Sequence, residues 1–223
     1  MKHNTTIPTT IQDNFFEDPD KIRQWAIHQS FYPSADGRWP GLRTDQLYNV
    51  DYSFFQLVIR KSLSLFFDLQ QEANINWTAE MTFQIVHKNY DSGWVNSDAH
   101  ENQITGIVYL NKDTNLTGGT SIMREKNHVL VPKESSIDFK KESFLKKKTI
   151  QEVEVVREEH NSQFEEIINI SNVYNRLVLF DSHLHHKSQS FFSQDDDACL
   201  TLIFFIKKLL VNNTPISRSL RAV

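Results

Sequence analysis

The stretch MTFQIVHKNYDSGWVNSDAHENQITGIVYLN, residues 81–111, decides the fold. It is built of short runs rich in β-branched and aromatic residues, with turn residues between them at close intervals. Such runs favour strands, and their spacing leaves no room for crossover helices. The same texture returns in GGTSIMRE (118–125), in NRLVLFDSHLHH (175–186) and in ACLTLIFFIKKL (198–209). Strands this short and this closely spaced predict an antiparallel sandwich or barrel over residues 81–210.

Outward from that core the chain changes character. In DPDKIRQWAIHQS (18–30), Asp18 stands as a cap, Pro19 at the first helical position, and Ile22, Trp25 and Ala26 at helical spacing, which predicts a short amphipathic helix. FYPSADGRWPGLRTDQL (31–47) crowds Pro33, Gly37, Pro40 and Gly41 together and reads as an ordered loop. From Tyr52 to Leu69 the apolar residues suit a buried helix with no Pro or Gly inside it, so the N-terminal helices are expected to pack on one sheet. Between the core strands, Lys126 to Ile168 is dense in charge, with KKESFLKKK and VREEH. It is expected to be a solvated insertion containing some helix, outside the core.

Composition bounds the function. A chain of 223 residues is read as a single domain, and 24 Lys plus Arg against 28 Asp plus Glu give a net charge of -4. That balance offers no general attraction to nucleic acid or to an anionic membrane, and no strand carries basic residues interleaved with aromatics. Leu200 to Leu210 is broken by Lys207 and Lys208 and is too short for a membrane helix. The lone Cys199 forms no internal disulfide and MKHNTTIPTT lacks the apolar core of a secretory signal, so a reducing cytoplasm is expected.

Residues two apart on a strand point the same way, so GWVNSDAH offers Asn96, Asp98 and His100 to one face, and FDSHLHH offers His183, His185 and His186. Two imidazoles and one carboxylate on one side of a metal are what a mononuclear non-haem iron site needs. Taken singly, a strand His is more often structural than a ligand, and Asp98 is more often a turn residue.

The order Tyr90, Gly93-Trp94, Asp98, GIVYLN (106–111), Gly118-Gly119-Thr120, FDSHLHH and ACLTLIFF resembles the phage and bacterial prolyl-hydroxylase-like branch of the Fe(II)- and 2-oxoglutarate-dependent oxygenases, over about Met81 to Lys208. The resemblance implies a mostly β, double-stranded β-helix (jelly-roll) fold, Fe(II) as cofactor and 2-oxoglutarate as cosubstrate. It implies hydroxylation of an amino-acid side chain in a protein or peptide, although a small-molecule substrate is also compatible. Asp98 falls on the carboxylate ligand and His186 on the distal His, while Tyr90, Tyr109, Thr201 and Cys199 fall in the cosubstrate pocket. Arg38, Trp39 and Arg43 would suit a substrate loop.

Two positions depart from the pattern. Asn96 stands where the first His belongs, so the third ligand is expected to be His100, with Asn96 as the alternative. Cys199 stands where an Arg normally clamps the far carboxylate of 2-oxoglutarate, and a thiol cannot replace a planar fork of N–H donors. Lys187, Arg176 and Lys207 are the candidate replacements. These departures motivate two rivals: a jelly-roll binding or structural protein that has lost its iron, and a cupin-like metalloprotein that does not use 2-oxoglutarate.

Overall fold

A computed structural model describes residues 8–67, 69, 75–87, 93–99, 101–112, 118–126, 134–145, 147, 149–191 and 198–211. Tyr90 and His100 lie outside them.

The chain is mostly β, in two antiparallel sheets. The larger has seven strands: β1 (Thr9–Gln12), β2 (Tyr32–Pro33), β3 (Leu42–Arg43), β4 (Ile75–His87), β5 (Ile104–Tyr109), β8 (Leu177–Asp181) and β10 (Ala198–Val211). Their order is β1-β8-β5-β10-β4-β3-β2. The smaller sheet orders β7 (Phe164–Ser171), β6 (Gly119–Glu125) and β9 (His185–Ser188) as β7-β6-β9. Residues 93–98 run beside β9, joined to it by a bridge between Asn96 and His186 and by the Gly93 N–H bond to the Ser188 carbonyl.

The central strand β10 carries the alternation that organises the interior. Leu200, Leu202, Phe204 and Ile206 enter a large apolar cluster with residues of helices α1 (Pro19–Ile27), α2 (Leu47–Val50) and α3 (Tyr52–Leu63). There the Trp25 ring meets Phe54 and Phe83 edge-on at 4.9 and 5.2 Å. The alternate residues Cys199, Thr201, Ile203 and Phe205 face a cavity instead. Gly106 makes the tight packing on the helix side workable, since a Cβ there would fall 2.1 Å from the Phe204 ring. Tyr109, Val178 and Phe180 of the larger sheet pack against Ile122 and Ile170 of the smaller, which closes one flank between the sheets.

The local signals read from sequence act as physics predicts at α1. The Asp18 carboxylate accepts from the Lys21 N–H at 3.0 Å and Pro19 opens the helix. At the other end of the chain, Asn175 adopts a positive φ of 64° and clips the N-terminal segment to the sheet. Its side chain accepts from the Phe16 N–H and donates to the Phe16 carbonyl, both at 2.8 Å.

Three local readings differ from the structure. The Pro- and Gly-rich loop contributes two short strands, because Leu42 and Arg43 pair with Ile85 and Gln84 of β4. Gly41 permits that approach: it has φ of +71°, and a Cβ there would stand 2.1 Å from the Ile85 carbonyl oxygen. The first core strand begins at Ile75, six residues before the Met81 expected. The charged insertion contains helices α4 (Glu134–Phe144) and α5 (Ile150–Asn161), as its composition allows, but β7 begins within it at Phe164 and the helices are not merely a solvated surface. Ser143 and Arg157 are buried, and both helices line the cavity, so part of their polar surface faces an interior space rather than bulk water.

Candidate active site

The cavity has a volume of about 660 Å³ and lies between the face of the larger sheet, the 93–98 segment, β9 and the two helices of the insertion. Asn96, Asp98 and His186 sit together on its wall. The Asp98 Oδ2 and His186 Nε2 atoms are 3.4 Å apart, with side chains 20% and 12% exposed. The Asn96 amide nitrogen is 3.4 Å from both Asp98 Oδ1 and His186 Nε2. The local fold enforces this meeting, since Asn96 and His186 exchange both backbone N–H to carbonyl bonds, at 3.0 and 2.8 Å.

Each side chain is held from behind. Asp98 Oδ2 accepts from the Thr105 hydroxyl at 2.9 Å, and Thr105 in turn is 2.9 Å from the Ser182 hydroxyl; both hydroxyl residues are fully buried. His186 Nδ1 lies 3.1 Å from the Leu184 carbonyl, which can only accept, so Nδ1 donates there and, in the neutral ring, Nε2 presents its lone pair. The ring rests on Phe180, with centroids 4.7 Å apart.

A lone pair therefore faces a carboxylate oxygen, with only a long amide contact between them. Two acceptors turned toward one point are what a cation stabilises, and the outer bonds that fix the His tautomer and the carboxylate are the usual support of metal ligands. The residues fit a divalent metal in that sense. The Asn96 amide turns its nitrogen toward these two acceptors and its oxygen away from them, to Lys140. Among the described residues no group of three His, Cys, Asp or Glu converges.

A lysine from the insertion reaches this centre. Lys140 Nζ donates to Asn96 Oδ1 at 3.1 Å. Burial lowers its ammonium to about 8, against the opposing pull of Asp98. Sequence reasoning did not single out Lys140, because it sits in a run whose charge reads as solvent-facing.

The other expected residues separate into two groups. Tyr109, Thr201 and Cys199 line the cavity together with Thr120. The Tyr109 hydroxyl is 2.7 Å from the Thr120 hydroxyl, and burial pushes its pKa well up. Burial also pushes the Cys199 thiol up to about 12, so it stands in the pocket as a neutral group. Lys187 lines the cavity as well, but the other two candidate replacements for the missing Arg do not. Arg176 forks onto Asp13 at 2.5 and 2.9 Å, and Lys207 bonds Glu80 at 2.6 Å and Glu101 at 3.3 Å. Both are committed to carboxylates elsewhere. His183 bonds Asp181, and His185 packs on Phe164 near Glu125, so neither joins Asp98.

On the remaining side, Arg38, Trp39 and Arg43 line the cavity. Arg38 is mostly exposed and pairs with Asp36 at 2.6 Å. Arg43 is drawn inward, and burial lowers its guanidinium to about 10 while Asp98 and Glu80 pull the other way.

Comparison with known proteins places this geometry in context. A family model described as a family of unknown function (DUF6445) matches residues 2–196. No curated protein matches the sequence. Among solved structures, the fold is similar to a Pseudomonas putida prolyl-4-hydroxylase, at 13% identity and a TM-score of 0.50 over 91% of this chain and 94% of that one. It is similar to HygX from Streptomyces hygroscopicus, solved with nickel and 2-oxoglutarate bound, at 12% identity and 0.53 over 91% and 84%. It is also similar to an oxidoreductase of the 2OG-Fe(II) oxygenase family from Burkholderia pseudomallei, at 9% identity and 0.53 over 89% and 85%. At these identities the likeness is one of fold.

Proposed function

The chain belongs to the DUF6445 family, and from that premise we propose that it is an Fe(II)- and 2-oxoglutarate-dependent oxygenase on a single double-stranded β-helix domain. In this reading it hydroxylates an amino-acid side chain in a protein or peptide. The observation that carries the proposal is the convergence of Asn96, Asp98 and His186 at 3.4 Å on the wall of a cavity, in a fold similar to that of oxygenases. Asp98 and His186 would hold the iron, with His100 or Asn96 as the third ligand. Iron bound there with 2-oxoglutarate supplies the oxidising chemistry for inserting oxygen into a C–H bond.

The chain's own residues have definite work in this reading. Thr105 and Leu184 orient the carboxylate and the imidazole, so the two ligands need no rearrangement to accept a cation. Tyr109, Thr120 and Thr201 offer hydroxyls to an oxygen-rich cosubstrate. The helices of the insertion line the cavity, where Lys140, Ser143, Phe144 and Arg157 would shape the space around a bound substrate. The likeness to a prolyl-4-hydroxylase supports the choice of an amino-acid side chain as substrate.

The test is metal content after anaerobic loading with Fe(II), with and without 2-oxoglutarate, in the wild type and in Asp98→Ala and His186→Ala. Stoichiometric iron in the wild type and none in the variants is expected; equal iron in all three would refute the assignment. One observation favours a second reading, a jelly-roll binding protein without iron: the Lys140 ammonium already bonds the amide that stands in the first-ligand position. Absence of iron from the wild type would decide for it.

A further inference from the structure

The cavity has a second polar centre, on the larger sheet. Arg43 pairs with Gln84 across β3 and β4, and Gln84 pairs with Thr201 across β4 and β10. Residues in register project to the same face, so these three side chains form one row on the cavity wall. The guanidinium extends along that row and is held flat: its Cζ lies 4.6 Å from the centre of the Trp39 ring and 5.7 Å from that of Phe205. One terminal N–H donates to Gln84 Oε1 at 3.2 Å. Gln84 cannot turn away, because its own amide nitrogen donates to the Pro40 carbonyl at 2.8 Å.

What this arrangement leaves over is charge and a donor. Arg43 Nε is buried and has no hydrogen-bond partner among the described residues. The direct acceptor of the side chain is a neutral amide, and Glu80, one of the two carboxylates that attract it, is bonded to Lys207 at 2.6 Å. A buried N–H without an acceptor is costly, and a planar, pre-oriented guanidinium is the group best matched to a carboxylate. The wall adds to the field: Arg38, Lys140, Arg157 and Lys187 line the same cavity, against the carboxylates Asp98 and Glu154.

We propose that Arg43 is an anion anchor that takes a carboxylate of the ligand bound in this cavity, its Nε–H and a neighbouring N–H donating to the two oxygens. Which carboxylate it takes rests on the oxygenase reading: either the far carboxylate of 2-oxoglutarate, for which Cys199 leaves no cation at the expected position on β10, or a carboxylate of the substrate itself. The anchor would stand on β3, next to the edge strand β2, with Trp39 and Phe205 on either side of the guanidinium.

The experiment uses the full chain and glutarate, a dicarboxylate that lacks the 2-oxo group, with glutaramide as its uncharged counterpart. Calorimetric titration should show glutarate binding to the wild type and not glutaramide. Arg43→Gln should weaken glutarate about ten- to a hundredfold, the range for losing a charge-assisted bond, and Arg43→Lys should recover part of the loss. Thermal melts of both variants establish that they are folded. Repeating the titration with Mn(II) and saturating 2-oxoglutarate separates the sources: displacement of glutarate assigns the anchor to the cosubstrate, and Arg43-dependent binding alongside 2-oxoglutarate assigns it to the substrate. No glutarate binding to the wild type, equal binding of glutaramide, or unchanged affinity in folded Arg43→Gln would overturn the proposal. Arg43-dependent glutarate binding by a protein that holds no metal would sink the oxygenase reading and leave the anchor standing.

Discussion

Replacing Asn96 by His should raise divalent-metal affinity by at least about tenfold, ~1.4 kcal/mol. The size follows from the geometry. Three donors each about 2.1 Å from one ion are about 3.0 Å apart at right angles and about 3.4 Å apart at tetrahedral angles. The Asn96 amide nitrogen is 3.4 Å from Asp98 Oδ1 and from His186 Nε2, and His186 Nε2 is 3.4 Å from the other carboxylate oxygen, Oδ2, so the frame is near the size an ion needs. What position 96 lacks is donor strength, because an amide is a poorer ligand than an imidazole for a first-row metal. Changes to groups that merely support ligands shift affinity ten- to a hundredfold, and a change in a ligand itself should do no less. Lys140, which donates to Asn96 Oδ1, is the neighbour the longer imidazole meets, so Asn96→His should be made alone and with Lys140→Met. Competition of Mn(II) with a fluorescent chelator under anaerobic conditions reads the affinity directly. Unchanged or weaker binding in both the single and the double variant would refute the claim that residue 96 faces the metal position.

Thr105→Val keeps the shape of the side chain and removes the hydroxyl that holds Asp98 Oδ2, so Mn(II) affinity should fall about ten- to a hundredfold with little change in melting temperature; equal affinity would mean that Asp98 needs no such support. Asn175→Ala removes both bonds to the Phe16 backbone and leaves two buried groups unpaired, at a cost of about 3 kcal/mol, which for a chain of this size lowers the melting temperature by about 6–12 °C. A scan within about 2 °C of wild type would contradict it. Because burial pushes the Cys199 thiol from 9.0 to about 12, alkylation by iodoacetamide at pH 8 should be about ten- to a hundredfold slower in the native than in the unfolded chain, the loss of thiolate being partly offset by its greater nucleophilicity, as intact-mass measurement will show. The sign of the linked stability follows: the unfolded thiol ionises first as pH rises, so its contribution is complete below about 9 and is lost between about 9 and 12. Native labelling at the unfolded rate would show that the thiol is not enclosed.

The strands of the core were legible in the sequence because their signals are local. A run such as ACLTLIFFIKKL needs only its own residues to favour an extended chain, and the cap at Asp18 needs only Lys21. The strands β1, β2 and β3 were not legible, since Thr9–Gln12 and Leu42–Arg43 are strands only by virtue of partners about 170 and 40 positions away. The site divides in the same way. Asp98 and His186 stood out through residue type and order, whereas Thr105 looks like any strand threonine until Asp98 is placed beside it. The charged insertion misled for a physical reason: a hydropathy pattern shows that a helix is polar on a face but not whether that face meets bulk water or a cavity between elements. Lys140 and Arg157 meet the cavity.

The cation expected on β10 is replaced by a neutral thiol, yet the cavity wall is not short of positive charge, because β3 supplies Arg43 and the insertion supplies Lys140 and Arg157. Two of these charges have definite places: Arg43 is fixed by Trp39, Gln84 and Phe205 on one wall, and Lys140 is bonded to Asn96 at the other. A ligand carrying negative charge at both ends would satisfy both, one end replacing Lys140's hold on the amide and the other meeting the orphaned Nε of Arg43. A neutral ligand would satisfy neither and would leave both cations poorly solvated. If Arg43 is the anchor proposed, the pocket would select for an anion even though the chain as a whole carries a charge of -4, and the selection would be made by residues brought from β3 and the insertion rather than by the core strands that define the fold.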